Sequence, residues 1–501
     1  MHTNDYIMSY PARWATECCL AGTLMLAAGL AASAGAPPAP DKPWQIGNSA
    51  SYAAEVRASD VLSAVRLTDG KAYELAELID IAQRTNPETR VAWENARQAA
   101  IRAGIVESTY YPMLALQAAA GYQHVASTIP RSVDPRGFFK ADAQAILPML
   151  TLKWLIFDFG GRDASLAAAN EQLAAANFGF NARHQKIVFD VTRAYYKVNA
   201  VRSGVEVARS AFDTARTVQQ AAESRLRQGL ATLPEVLQAR EQTARATYDV
   251  EEASASEVDA RMALLEAMGV RPSAALSIAD LYQRPLPASL ETAADKFVDV
   301  ALENRPDLLA RVAVLRAKDA EIRKARSEYY PRITAAANLG QNIGQVRVDG
   351  GPWSTVNQPQ YGVAITLELP FFDAGLRDKR LAVAQAERRV AEEELNLARD
   401  RTVREVVKAY DDVKVAFRKR DAALALLAAA DRAYAAALES YRRGVGTYID
   451  VANAQTHLTR ARTSDTETRA LVFTASAALA FSTGEIASPL PVDGRTDRSS
   501  P

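Results

Sequence analysis

Few residues of this 501-residue chain have the types and the spacing that catalysis or metal binding requires. The four histidines are scattered and show no ligand spacing such as H-x-x-x-H; they are His2, His124, His184 and His457. Carboxylates are numerous, but they recur with arginine at helical spacing, as in "AERRVAEEELNLARDR", which is typical of a solvated helix face. We therefore predict no catalytic residues, no metal site and no cofactor, and we expect that the protein is not an enzyme.

Two acidic residues stand out because each follows a glycine-containing turn and opens a helical pattern. Glu235 ends the turn "QGLATLPE" (228–235), and Asp450 ends the related turn "RGVGTYID" (443–450). An acid in the first turn stabilises a helix by interacting with its dipole. The glycines of these turns supply the positive φ that a chain reversal needs, so their presence alone does not indicate binding.

The elements that position these residues occur twice in the sequence. Asp80 and Pro87 recur 219 positions later as Asp299 and Pro306, and "YYP" (110–112) recurs with the same offset at 329–331. Further on the offset is 215, as in "FDFGGR" and "FDAGLR". The length difference falls between Pro112 and Asp158, so we expect a loop there and a rigid frame elsewhere.

Long helices dominate each copy. Residues 160–228 form a proline-free run of 69 residues, which predicts a rod of about 100 Å. Residues 376–443 form a run of similar length, and both turns lead into helices about half as long, 235–268 and 450–484. The helical pattern 76–110 supplies the missing half, so we predict that two short helices stack end to end beside each rod.

A strand pair is predicted between each YYP and the following rod. In "YGVAITLELPFF" apolar residues alternate over 361–371, which has the length and period of a transmembrane β-strand. In the first copy "LTLKWLIF" (150–157) alternates, Pro148 marks the entry of that strand or a rim, and loops are expected at 125–142 and 346–360. The alternative is an ordinary soluble hairpin. Four strands cannot close a barrel, so membrane strands would have to be pooled, twelve from three chains.

Charge and the chain ends limit the remaining possibilities. The 59 basic and 59 acidic side chains give no net charge, so we expect no nucleic-acid partner. An apolar run containing both cysteines, Cys18 and Cys19, predicts a signal peptide over 1–36, with a membrane anchor as the alternative. The mature chain would then lack cysteine. We expect a periplasmic extension over 37–75 and a disordered tail over 488–501.

The duplicated motifs resemble those of TolC-type outer-membrane efflux proteins, the exit ducts of tripartite pumps and of type I secretion. The resemblance rests on "LIDIAQRTNPETR" with "FVDVALENRPDLL", the YYP pair, "FDFGGR" with "FDAGLR", and the two turns. It implies a mainly α fold with a membrane β part, in which a β-hairpin and a long helical hairpin are duplicated. Three chains would form a 12-stranded outer-membrane β-barrel continued by a periplasmic α-helical barrel.

The resemblance also implies boundaries for the two repeats and for a mixed equatorial region near 270–295 and after 484. The first repeat would cover 76–284, with a β-hairpin at 112–158 and a helical hairpin at 160–268. The second would cover 285–487, with the corresponding hairpins at 331–373 and 376–484.

The function implied is that of a homotrimeric exit duct in the bacterial outer membrane, in contact with its lipid. It would passively conduct small molecules delivered by an inner-membrane RND or ABC transporter through a periplasmic adaptor. The alternative is the outer-membrane channel of a type I protein secretion system. A soluble periplasmic scaffold or adaptor is a third reading, although adaptors do not carry two strand pairs.

By resemblance, the second turn forms the periplasmic entrance of the channel. Asp450 occupies the acidic position of the family, and Asn453 stands at its second acidic position. The counterparts in the first copy are Glu235 and Gln238, and Tyr448 is a further gating candidate. A ring of three Asp450 carboxylates would favour cations. Gly446 stands where some relatives carry a basic gating residue, which argues against a salt-bridge latch there.

Two further sets of residues follow from the resemblance and from their local chemistry. The tips of the helical hairpins would contact the adaptor; these residues are Gln228, Gly229, Leu230, Thr232, Arg443, Gly444, Val445 and Thr447. Each YYP would mark the change from helix to strand, because proline cannot continue a helix. Tyrosine is favoured at the membrane–water boundary, so the predicted junction residues are Tyr110, Tyr111, Pro112, Tyr329, Tyr330 and Pro331.

Overall fold

The computed structural model describes residues 53–55, 67–68, 70–272, 274–280 and 293–486. The chain divides into two compact units, Met1–Ser63 and Ala64–Pro501. Of the first unit only the helical residues 53–55 are described. The predicted signal peptide and the predicted tail therefore lie outside the described residues.

The second unit contains two copies of one series of elements. The first copy comprises α1 (Leu75–Thr85), α2 (Pro87–Ser108), β2 (Met113–Thr128), β3 (Phe138–Phe157), α3 (Gly161–Arg227) and α4 (Leu233–Met268). The second comprises α5 (Ala294–Asn304), α6 (Pro306–Ser327), β5 (Arg332–Val348), β6 (Ser354–Glu368), α7 (Leu376–Arg442) and α8 (Tyr448–Ser482). Corresponding helices match in length: α3 and α7 both have 67 residues, and α2 and α6 both have 22. The predicted duplication is confirmed.

The helices of the second unit pack as a row in which α3 has neighbours from both copies. α2 and α4 pack mainly on α3, α3 also packs on α6 and α8, and α7 packs mainly on α6 and α8. The order is therefore α2 with α4, then α3, then α6 with α8, then α7. α3 therefore has packed helices on both sides. The two ends of the row have neighbours on one side only: one end is the α2–α4 pair, and the other end is α7.

The short helices meet end to end beside each 67-residue helix, as the lengths predicted. Asn86 precedes α2, and its Nδ2 donates to the carbonyl of Ala267 near the end of α4 at 2.9 Å. The next residue after α4, Gly269, has φ 70°, and a Cβ there would lie 2.7 Å from the Cα of Asn86. In the second copy Gly484 follows α8 and lies against Asn304 in the same way. Glycine permits this close approach of two helix ends.

Two short strands that are not part of the large sheet pack against the middle of α3. β1 (Ala72–Tyr73) and β4 (Ser277–Ile278) pair in parallel. Tyr195 of α3 is 1% exposed, and its hydroxyl donates to the carbonyl of Ala279 at 3.0 Å. Leu78, Leu264 and Met268 are fully buried in the same cluster. The hydrophobic core of the first copy therefore lies where α1, α3, α4 and these two strands meet.

The four long strands form one antiparallel sheet in the order β2-β3-β5-β6. β3 and β5 come from different copies, and β2 and β6 have one partner strand each. Leu150 lies opposite Leu339, which lies opposite Tyr361. The register thus puts the alternating apolar residues of both predicted strands on one face of the sheet, where Tyr361 and Val363 are each 82% exposed.

The strands are longer than the sequence pattern indicated. β3 has 20 residues and β6 begins at Ser354, so the loops shrink to 129–137 and 349–353. The added segments, such as "STVNQPQ" (354–360), show no regular alternation of apolar and polar residues, so the sequence gives no contrast between the two faces there. β6 ends at Glu368 because Pro370 interrupts pairing.

The position of Pro148 also differs from the prediction. It lies inside β3, opposite Ala118, and not at the start of the strand. Proline has no N–H to donate, and the β3–β5 ladder skips from Ile146 to Met149. Gly340 of β5 pairs with the next residue, Met149, and a Cβ on Gly340 would lie 2.8 Å from the carbonyl oxygen of Pro148. The absence of a Cβ on Gly340 therefore leaves room for the carbonyl of Pro148 inside the sheet.

None of the helices within the described ranges is both long enough and apolar enough to span a membrane.

Candidate functional site

The first helical tip is a short reversal between α3 and α4. Gly229 has φ 72°, and the amide of Leu230 donates to the carbonyl of Arg225 at 2.8 Å. Thr232 precedes α4 and makes no side-chain cap, and a proline occupies the second helical position. Leu230 is 63% exposed. The predicted tip residues Gln228, Gly229, Leu230 and Thr232 therefore lie together on an exposed turn.

The second tip has the same course but closes more tightly on its own helix. Gly444 has φ 80°, and the amides of Val445 and Gly446 both donate to the carbonyl of Ser440. A Cβ on Gly446 would lie 3.0 Å from the Cβ of Ser440. A side chain at this position would displace the turn, which gives a physical reason for the missing basic residue. Val445 is 82% exposed.

Asp450 forms a reciprocal cap with Thr447 at the start of α8. The Thr447 hydroxyl accepts from the Asp450 amide at 3.2 Å, and an Asp450 carboxylate oxygen accepts from the Thr447 amide at 3.1 Å. This is a capping box, which satisfies two helix-end donors. The hydrogen bond from the Thr447 hydroxyl lowers the pKa of Asp450 below its usual value. The carboxylate remains exposed and charged, so capping and a role at an entrance are compatible.

The corresponding acid of the first tip is held differently. Glu235 is the third residue of α4 and is half-buried, and no cap joins it to Thr232. Gln238 and Asn453 are exposed one turn further along their helices. The two tips are alike in backbone and unlike in how they hold their acids. The entrance role of these four residues stays a prediction.

A buried cluster beneath the turns joins the two tips. Tyr441 at the end of α7 is 1% exposed and Tyr448 is 6% exposed, and their rings meet edge to face with centroids 6.4 Å apart. Arg225 of α3 donates to the carbonyl of Tyr441 and lies 4.6 Å over its ring. Val236 and Val451 complete the contact. Tyr448 packs inside the tip, and this burial raises its pKa. Its gating role stays a prediction.

Sequence reasoning missed the residues that hold this cluster together. Arg225 and Tyr441 lie in the last turns of their helices, where side chains are commonly exposed, and no motif marks them. The duplication gave no signal either, because Tyr441 matches Leu226 at the 215-residue offset. Arg443 of the second tip makes a local contact instead: its Nε donates to Glu439, four residues earlier, at 2.8 Å.

The YYP segments lie where helix changes to strand in both copies. α2 ends at Ser108 and β2 starts at Met113, and α6 ends at Ser327 and β5 starts at Arg332. The first tyrosine of each pair donates to an aspartate in the first turn of a 67-residue helix: Tyr110 to Asp163, and Tyr329 to Asp378 at 2.5 Å. Partial burial, followed by the Asp163 hydrogen bond, raises the pKa of Tyr110 to about 12.

An arginine completes each helix-to-strand junction. Arg162 lies 4.8 Å over the ring of Tyr110 and donates to the carbonyl of Ile156 at 2.8 Å, so it ties the end of β3 to the end of α2. Arg377 lies 5.3 Å over the ring of Tyr329 and pairs with Asp373 at 2.6 Å. The sequence paired the two arginines by offset, but not their contact with tyrosine.

The second tyrosines of the two YYP segments project outward. Tyr111 is 70% exposed and Tyr330 is 53% exposed, and Tyr330 stacks on Phe159 with ring centroids 5.3 Å apart. Aromatic rings of this kind suit a membrane–water boundary, and that location stays a prediction. Within the described ranges no group of three or more His, Cys, Asp or Glu side chains is arranged to hold a metal ion.

Comparison with known proteins gives a consistent family relationship. A model of the family described as "Outer membrane efflux protein" matches residues 78–270 and 297–485, which are the two copies. Protein CyaE of Bordetella pertussis is 28% identical over 417 residues, covering 82% of this chain and 84% of that protein. The cobalt-zinc-cadmium resistance protein CzcC of Cupriavidus metallidurans is 26% identical over 307 residues, covering 60% and 69%.

A solved structure shares the fold. The outer membrane protein VceC from Vibrio cholerae superimposes with a TM-score of 0.67 at 22% identity, and the match covers 82% of this chain and 96% of that one.

Proposed function

The chain belongs to the outer membrane efflux protein family, and we propose that three copies of it form a passive exit duct through the outer membrane. The duct carries small solutes to the exterior, delivered by an inner-membrane RND or ABC transporter through a periplasmic adaptor. The duct catalyses no reaction. It encloses a continuous path along which solutes reach the exterior.

The observation that carries this proposal is that the sheet and the helix row both end in open edges. β2 and β6 each have one partner strand, and α7 and the α2–α4 pair each have one neighbouring row. The helices at the two ends of the row carry exposed apolar residues, such as Trp93 on α2 and Leu397 on α7, which are 51% and 55% exposed. Copies joined edge to edge cover these residues and close both layers into rings.

Three copies provide the twelve strands that the resemblance to TolC-type proteins implies. A lone four-stranded sheet leaves strand edges unpaired, which a bilayer does not tolerate. The face bearing Leu339, Val363 and Ile365 meets lipid in this arrangement. The opposite face, with Gly340, Gly362 and Ala364, lines the duct and keeps its wall thin.

The two helical tips form the end of the duct that lies farthest from the sheet. Leu230 and Val445 are large apolar side chains exposed on the two turns, which suits contact with a partner protein. We assign this contact to the adaptor, and we assign the narrowing of the entrance to Asp450, with Glu235 contributing from the first tip.

Export of small solutes is favoured by the relative CzcC, whose name refers to resistance to cobalt, zinc and cadmium. The alternative is secretion of proteins through a type I system. The two differ in the transporter that feeds the duct, and the residues of the duct wall serve either.

Deletion of the gene, followed by complementation, tests the proposed function. We expect the deletion strain to accumulate a panel of dyes and metal ions and to become sensitive to them. The intact gene restores export, and the purified protein conducts ions in planar bilayers. Unchanged solute resistance combined with a lost secreted protein would establish the type I alternative. A protein that fractionates with the soluble periplasm and never conducts would contradict both.

A further inference from the structure

A polar cluster lies at the loop end of the apolar face of the sheet. Asp142 of β3 accepts hydrogen bonds from the Tyr122 hydroxyl at 2.6 Å and from Nε of Arg347 at 2.7 Å. Its carboxylate also lies 2.6 Å from Nδ1 of His124. The side chain of Asp142 is only 10% exposed. One nearly buried carboxylate of β3 thus fixes side chains from the two neighbouring strands, β2 and β5.

The cations of this cluster keep hydrogen-bond donors that no described residue uses. Nε of Arg347 donates to Asp142 and the guanidinium also interacts with the Tyr122 hydroxyl, while neither Nη1 nor Nη2 donates a hydrogen bond of standard geometry to a described residue. The ring of Trp353 lies 4.9 Å from its guanidinium carbon and supports it from one side. His124 is 53% exposed and uses only Nδ1. Lys140 lies two residues from Asp142 along β3, on the same face, and is exposed.

Net charge in the cluster is positive. Arg347 and Lys140 carry two positive charges against the single negative charge of Asp142. The charges of the neighbouring loops sum to zero, because Arg131 and Arg136 offset Asp134 and Asp349, and Arg136 contacts both aspartates. The free donors and the surplus charge therefore point to an anionic ligand.

Position along the strand indicates where that ligand lies. On β5 the outward positions run from Ile333 to Ile343, eleven residues, which is the length of one tilted membrane crossing. Arg347 follows Ile343 by four residues on the same face. At a rise of about 3.4 Å per residue and a tilt of about 45°, it lies roughly 10 Å beyond the apolar band. That distance corresponds to the headgroup layer next to the loops.

We propose that Lys140 and Arg347, beside the exposed ring of His124, bind a phosphate group carried by lipid headgroups of the outer leaflet. This inference rests on the proposed function, because it requires the sheet to cross the outer membrane with its loops outside. Arginine engages phosphate oxygens through paired N–H donors, and the lysine ammonium adds a further charged donor. Asp142 is a positioning residue: it holds Arg347 by Nε and His124 by Nδ1, and so fixes both side chains at the site.

Binding of lipid A by the purified full-length trimer tests the inference. Native mass spectrometry would compare the lipid A that carries two phosphates with its dephosphorylated form. We expect Arg347→Gln to weaken binding about tenfold, since a charge-assisted hydrogen bond is lost, and Arg347→Lys to have an intermediate effect. The matched control is Arg460→Gln, an exposed arginine of α8 remote from the sheet, which should bind as wild type.

Three results would overturn the inference alone while the protein remains a conducting trimer. They are equal affinity in Arg347→Gln, equal binding of the dephosphorylated lipid, and displacement of lipid A by an equal concentration of inorganic phosphate. The last would identify a soluble phosphate as the ligand. A wild-type protein that neither forms trimers nor conducts would overturn the proposed function, and this inference with it.

Discussion

At the scale of single residues, Asp450 serves both the helix and the proposed entrance. Its carboxylate closes the capping box with Thr447 and is also exposed on the tip. The pKa of Asp450 lies below its usual value because of the Thr447 hydrogen bond. A carboxyl with a lowered pKa in the folded state contributes stability above its usual pKa, and that contribution is lost as the pH falls through the lowered value.

Replacing Thr447 by alanine separates the two roles. The variant loses the cap, which costs about 1 kcal/mol of stability, but it keeps the charge of Asp450. The pKa of Asp450 then rises, so cation preference should disappear at a higher pH than in wild type. Reversal potentials in planar bilayers between pH 3 and pH 7 measure this. Asp450→Asn is the comparison and should lose cation preference at every pH. A Thr447→Ala channel with an unshifted pH profile would contradict the assignment.

The tyrosine–aspartate pairs at the two junctions form a second residue-scale prediction. Tyr110→Phe together with Tyr329→Phe removes both hydrogen bonds and should lower the thermal unfolding temperature. Tyr111→Phe together with Tyr330→Phe is the matched control, because neither hydroxyl makes a hydrogen bond with a described residue. Equal unfolding temperatures for the two double variants would refute the role of these pairs.

The raised pKa of Tyr110 gives the same junction a pH dependence. A phenol whose pKa is raised from 10.0 to about 12 contributes its stability fully below pH 10 and loses it as the pH approaches 12. Wild type should therefore lose unfolding temperature over this interval more steeply than the Tyr110→Phe variant.

At this scale the sequence predicts which positions are repeated but not the contacts they make. The offsets pair Arg162 with Arg377 and Tyr110 with Tyr329. The cation–π and hydrogen-bond geometry depends on three elements meeting in space, which no local pattern records. The Arg225–Tyr441 contact has no repeated counterpart, so the duplication could not indicate it.

At the scale of elements, adjacent residues of β6 face opposite sides of the sheet. Val363→Arg puts a charge in lipid near the middle of the apolar band, at a cost of about 2–4 kcal/mol, and should prevent assembly in the membrane. Ala364→Arg puts the same charge in the duct and should insert normally but alter conductance. Membrane fractionation followed by single-channel recording distinguishes them. Normal insertion of Val363→Arg, with failure of Ala364→Arg, would reverse the assignment of the faces.

The helical tips give a second element-scale prediction. Gly229 and Gly444 have positive φ, and a Cβ at either position would meet no atom within 4 Å. Changing both to alanine should cost roughly 1–2 kcal/mol of backbone strain at each position and leave export intact. Changing both to tryptophan adds bulk where the adaptor docks and should abolish export. Export that survives in a correctly inserted tryptophan variant would show that the tips are not the docking surface.

Helices were easier to predict than strands because the sequence pattern of a long helix extends over many more residues than the alternation of a strand. A proline-free run of 69 residues has few alternatives, and the observed helix has 67. β2 and the first half of β3 carry alanine, glycine and glutamine, so hydrophobic alternation is weak there. Strand pairing, which is a long-range property, decides their extent.

At the scale of the whole molecule, the sheet and the helix row both have open edges, and the proposed trimer depends on them. The sequence indicates that four strands and one row of helices per chain are too few to close a ring, and the structure gives the order of elements at each edge. The number of copies depends on curvature across the interface between chains, which a single chain does not contain. The proposed value of three comes from the resemblance to TolC-type proteins.

The protein mass of the detergent-solubilised channel tests this central claim most directly. Light scattering combined with absorbance separates the protein from the bound detergent. We expect the protein part of the particle to have three times the mass of the mature chain, in a sample that also conducts ions in planar bilayers. A conducting particle with the mass of one chain would contradict it, because four strands would then have to form the duct alone.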